Sequence, residues 1–192
     1  MHPPVDTRSM SNVTYLLGHD SPAARSIWLT EEEPAVKLLE ASCQMPILWL
    51  SLFRTVDLTT CRAEETIYDV TSVVDVPTLV TPTRAGITRS RRRAAVVRAI
   101  LDPRLHVHIE EWFAFLATRP EPFLQLDAFE LWEMREPEYF VPELKAFLGA
   151  FRSPTSRAWR ALLAQAAVDI PKVARFGIRG YACDVAVTRG QD

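Results

Sequence analysis

Hydrophobic side chains recur at helical spacing through the middle of this chain and at strand spacing near its two ends, a contrast that limits the fold more than any other feature. Leu105, Ile109, Trp112, Phe113 and Leu116 fall on one face of a helix over residues 105–117. Phe140, Leu144, Phe147, Leu148 and Phe151 repeat the spacing, with Pro142 and Glu143 suited to the first turn. Behind Ser153-Pro154 comes a third stripe, Trp159, Leu162, Leu163, Ala166 and Ile170, which Pro171 ends. Residues 87–101 place Ala94, Val97, Ile100 and Leu101 on one side and Arg91, Arg92 and Arg98 away from it. Residues 12–17 favour a strand that stops at Gly18, and residues 181–188 alternate between a Tyr181, Cys183, Val185, Val187 face and a smaller, more polar one. The pattern predicts an α+β fold, a single domain of helices packed on a small, mostly antiparallel sheet that includes the N- and C-terminal strands, which are expected to pair. A nearly all-α chain is the alternative if both terminal segments are misread.

The remaining segments carry weaker signals. Residues 26–30 suggest a short strand, and Glu31-Glu32-Glu33-Pro34 resembles a helix opening, with the helix running from Ala35 to about Ser42. Residues 47–53 are almost continuously apolar and read as a buried helix, whereas residues 66–80 are rich in valine and threonine and suggest one or two strands turning near Val74-Asp75. Phe123-Leu124-Gln125-Leu126-Asp127 alternates as a strand and leads into a helical turn or two through Met134. With 192 residues, 48% of them hydrophobic, one core over residues 11–190 is expected, preceded by a disordered tail at 1–10 that lacks the apolar run of a secretory signal. The longest apolar run, residues 45–53, is far short of the ~20 residues that span a bilayer. Three widely separated cysteines, Cys43, Cys61 and Cys183, fit reduced thiols in a cytoplasmic protein.

The net charge of −2 conceals two opposed local fields. Residues 84–104 hold seven arginines against Asp102, and residues 110–143 hold nine acids against Arg119 and Arg135. Exposed on one helix face, Arg91, Arg92 and Arg98 could line a phosphate backbone, which makes nucleic-acid binding the alternative function. The arginines could equally pair with acids of the following helices or of a partner. In the acidic stretch, Asp127, Glu130, Glu133 and Glu136 surround Trp132, a mixture of carboxylates and amphipathic rings suited to gripping a basic protein. Those five residues are the candidate partner contacts, with Phe129 and Trp132 also able to serve as core.

Enzymatic signatures are missing. Six glycines provide neither a phosphate-binding loop nor a dinucleotide turn, and no nucleophile elbow is present, so neither catalytic residues nor a cofactor is expected. His106 and Glu110 share a helix face but offer two ligands where a metal needs three or four, so no metal site is expected. His19 beside Asp20 is the minimum for acid–base work, and a small enzyme of unknown class built on His19 or His106 is a further alternative.

Three ordered segments, Asn12-Val13-Thr14-Tyr15-Leu16, residues 45–53 and residues 123–134, resemble a family of bacterial proteins often found beside polymorphic toxins. The resemblance implies a cytoplasmic immunity protein that neutralises a cognate toxin by direct protein–protein binding, without catalysis.

Overall fold

The computed structural model describes residues 13–29, 35–42, 44–67, 70–134, 137–153, 155–166 and 181–182. Among them run six strands: β1 (Val13–His19), β2 (Val36–Ser42), β3 (Leu58–Ile67), β4 (Val70–Pro82), β5 (Phe123–Asp127) and β6 (Tyr181–Ala182). They form one sheet in the order β3-β4-β5-β1-β2-β6, with each neighbouring pair antiparallel. The helices are α1 (Ile47–Leu50), α2 (Thr83–Ile100), α3 (His106–Ala117), α4 (Phe129–Glu133), α5 (Pro137–Ala150) and α6 (Arg157–Ala166). The architecture is α+β, as the periodicities require. No helix among the described residues is long and apolar enough to cross a membrane. Residues 1–12 and 183–188, where a tail and the rest of the last strand are expected, lie outside the described residues.

Register assigns each sheet face its job. Leu16 pairs with Leu39 and Leu126, and Leu126 pairs with Leu79, so these leucines share one face. With Leu124 they join Trp49, Val97, Trp112, Phe140, Phe147 and Trp159, drawn from the helices, in the principal core. The opposite face carries Leu17, Gln125 and Asp127 and is crossed by the irregular segment after β1. There the Arg25 N–H donates to Gln125 Oε1 at 2.9 Å, Gln125 Nε2 donates to the Arg25 carbonyl at 2.6 Å, and the Glu64 N–H of β3 donates to the Trp28 carbonyl at 3.0 Å. Residues 20–29 are thus a strap held to both β5 and β3. A smaller core of Cys61, Ala63, Val76 and Phe129 lies beneath it, with Trp28 and Trp132 packed against it.

Five expectations are corrected. Residues 26–29 form no strand, because Ser26 Oγ accepts the Trp28 N–H at 3.0 Å and bends the chain locally. The segment expected as a helix from Ala35 is β2. Its register shifts between Leu16 and Leu17, so Leu38 and Leu39 are both buried and the period-two signal is erased. The turn expected near Val74-Asp75 is mid-strand, with Val74 opposite Ala63 and Asp75 opposite Arg62, and Pro77 sits where β4 has a neighbour only on the β3 side. β3 escapes notice because its buried residues, Cys61 and Ala63, are small and its other positions polar. α5 begins at Pro137, a turn earlier than expected, which leaves Pro142 inside it and Phe140 already buried on its core face at 1% exposure. The first and last strands do not pair, because β2 separates them.

Gly18 is required by close approach: a Cβ there would stand 2.5 Å from Glu121 Cγ. Gly18→Ala is therefore expected to cost about 1–2 kcal/mol in urea unfolding. An unchanged midpoint would mean that Glu121 swings aside freely.

Candidate partner-binding surface

The acidic, aromatic segment is built where β5 hands the chain to α4. Asp127 closes the strand, and its Oδ1 accepts the Phe129 N–H at 3.0 Å, an Asx-type turn that starts the helix. The same oxygen accepts Trp28 Nε1 at 3.4 Å, while Oδ2 is buried without a hydrogen-bond partner among the described residues. With 3% of its surface exposed, Asp127 is no docking residue, contrary to expectation. Burial pushes its carboxyl up to about 6, against the lowering effect of the two donors.

Glu130 and Trp132 are half-buried. Glu130 accepts the backbone N–H of Val13, which ties α4 to the start of β1. Desolvation raises its pKa, with Lys37 acting in the opposite direction. Trp132 stacks on Phe129 at 6.2 Å between centroids and packs against both cores, so only part of its ring is available. Glu133 is exposed, and its pKa is raised by desolvation and then by Glu65 and Glu130. Glu136 lies outside the described residues. The surface gains two residues that sequence reasoning missed. Glu65 arrives from β3, a contact no local pattern reveals, and Met134 is 57% exposed directly after α4, an apolar residue left outside the buried stripe. Glu133 and Met134 face outward, with the half-buried Glu65, Glu130 and Trp132 near them. Lys37 is engaged nearby, its ammonium 4.6 Å from the Tyr15 ring and 6.0 Å from that of Trp28.

The arginine segment is used mainly within the fold. Arg93 Nη1 donates to the carbonyls of Phe53 at 2.6 Å, Ser51 at 3.1 Å and Leu50 at 3.4 Å, and Arg89 Nη1 bonds the Leu52 carbonyl and Asp57. α1 is a single turn whose own carbonyls accept from the following residues, including the Phe53 N–H on the Leu50 carbonyl at 3.2 Å, and the arginines of α2 satisfy the buried carbonyls of Ser51, Leu52 and Phe53 just beyond it. Ser51 Oγ and Ser90 Oγ, 2.6 Å apart, continue the junction to Trp112 Nε1, which donates to Ser90 at 3.0 Å. The three arginines considered for nucleic acid are exposed as expected, but Arg98 pairs with Glu110 and Arg91 stands 6.0 Å from the Phe113 ring. Arg92 is left facing solvent.

His19 is buried and stacked on Phe123 at 6.0 Å, and burial followed by the charge of Arg25 lowers its pKa. Its neighbour Asp20 bonds Arg25 at 3.0 Å. His106 Nε2 is 2.9 Å from the Arg98 carbonyl, and His108 lies against Glu111 at 3.2 Å. The histidines are therefore dispersed, and among the described residues no group of three or more His, Cys, Asp or Glu side chains could hold a metal ion. Neither protein-family models, nor curated proteins, nor solved structures match the chain.

Proposed function

We propose that this chain is a non-enzymatic bacterial binding protein, a cytoplasmic immunity factor that neutralises a toxin by occluding a basic surface with the face formed by Glu65, Glu130, Trp132, Glu133 and Met134. The observation that carries this reading is the crowding of carboxylates from β3 and α4, close enough that Glu65 and Glu130 both raise the pKa of Glu133, next to an exposed apolar side chain. A cationic partner surface would relieve that repulsion, while Met134 and the edge of Trp132 supply area for burial. The family resemblance adds the cellular role.

In this reading charge governs encounter. Glu133→Lys combined with Glu65→Lys is expected to slow association with the cognate toxin at least tenfold at low salt and to abolish protection of cells expressing it. Stopped-flow binding checks the first outcome and a growth assay the second. Unchanged kinetics and protection would remove this surface from the proposal.

A further inference from the structure

A second charged cluster forms around Asp57. Asp57, whose side chain is 7% exposed, bonds Arg54 at 3.2 Å and Arg89 at 3.0 Å. Arg93 is one helical turn beyond Arg89, its guanidinium 4.7 Å from the Phe151 ring. Arg89, Arg152 and Arg54 all lie within electrostatic reach of Arg93 and oppose its charge, while Asp57 favours it. Arg54, just before the 3-10 turn at Thr55–Asp57, and Arg89 of α2 thus bond one carboxylate, while Arg93 of α2 and Arg152, which follows Phe151 beyond α5, lie close by, leaving about +3 among these five side chains.

Such an excess is unfavourable unless something offsets it. Desolvation first, then its arginine neighbours, lower the pKa of Arg93 to about 10, and desolvation lowers that of Arg89. The carbonyls of residues 50–53 offset part of this charge, and the remainder opens to solvent, since Arg54 keeps 52% of its side chain exposed and Arg152 is exposed. Guanidinium groups present planar forks of N–H donors that match the oxygens of a phosphate group. The arginine run at 84–104 supplies Arg89 and Arg93, and tertiary structure adds Arg54 and Arg152.

We propose that Arg54, Arg89, Arg93 and Arg152 form a binding site for a phosphate-type oxyanion, as free phosphate or as a phosphate ester. The site shares no residue with the acidic surface, and its fate is independent of the immunity reading. The intact protein is titrated at fixed ionic strength with inorganic phosphate, with a nucleoside monophosphate, and with chloride as the control, followed by amide chemical shifts and calorimetry. Saturable binding of phosphate with a millimolar or tighter Kd is expected, weakened at least tenfold by Arg152→Gln and by Arg54→Gln and retained in Arg92→Gln. Equal affinity for both phosphates assigns the site to the anion itself, and at least tenfold tighter binding of the monophosphate assigns it to an ester. Shifts that do not saturate, that chloride reproduces, or that persist undiminished in both variants overturn the proposal.

Discussion

Replacing Arg93 with methionine is expected to destabilise the fold by about 3 kcal/mol, since it strands buried carbonyls that cost roughly 1–3 kcal/mol each when left unbonded. Methionine keeps the aliphatic stem but removes the guanidinium that stands 4.7 Å from the Phe151 ring, so the loss combines the hydrogen bonds with that cation–π contact. The carbonyls concerned belong to Ser51 and Phe53, whose residues are both at 0% exposure, whereas the Leu50 carbonyl keeps the Phe53 N–H at 3.2 Å. Relief of arginine desolvation and of repulsion from Arg89 and Arg152 works in the opposite direction and keeps the figure below the sum of two full penalties. Arg93→Lys retains charge but presents a single ammonium to three acceptors, and should recover only part of the loss. Urea unfolding followed by far-ultraviolet circular dichroism measures both. A loss under about 1 kcal/mol for methionine would mean that the Ser51 and Phe53 carbonyls find other donors.

Asp127→Asn should stabilise the protein above neutral pH by up to about 3 kcal/mol and leave it little changed in acid. The folded carboxyl titrates near 6, above its ordinary value of 3.8, so the native state holds a proton that the unfolded chain has released. Wild-type stability must then fall as pH rises from about 4 through about 6, and level off beyond that for this group. Asparagine retains an acceptor for the Phe129 N–H and Trp28 Nε1 and carries no charge to desolvate. Its amide nitrogen takes the place of Oδ2, which has no hydrogen-bond partner among the described residues either. The raised values of Glu130 and Glu133 give slopes of the same sign, so the variant should flatten the curve without abolishing it. Parallel slopes for the two proteins between pH 4 and about 7 would show that Asp127 is not the group responsible.

Both predictions concern members of the two charged stretches, Arg93 of the arginine run and Asp127 of the acidic one. The helices over residues 105–117 and 140–151 and the strand at 123–127 were legible because their buried side chains repeat within one element, and the fold repeats that spacing in α3, α5 and β5. β2 was not legible, because a shifted register buries adjacent leucines and imitates helical spacing. β3 was not, because its contribution to the small core is one cysteine and one alanine. The acidic patch was half legible. Glu130, Trp132 and Glu133 cluster in the chain and on the surface, whereas the burial of Asp127 depends on the strap that carries Trp28 across the sheet.

By itself the sequence determined the α+β class, the faces of its long helices and the opposition of two charged stretches. All of these follow from side-chain spacing within a few turns or strand repeats. Only the tertiary structure decided which charges remain free. Arg93 became a donor to the carbonyls just beyond α1, Asp127 a buried carboxyl and Glu65 a neighbour of Glu133, because the cost of desolvating an ion and the partner that offsets it are set by groups far away along the chain.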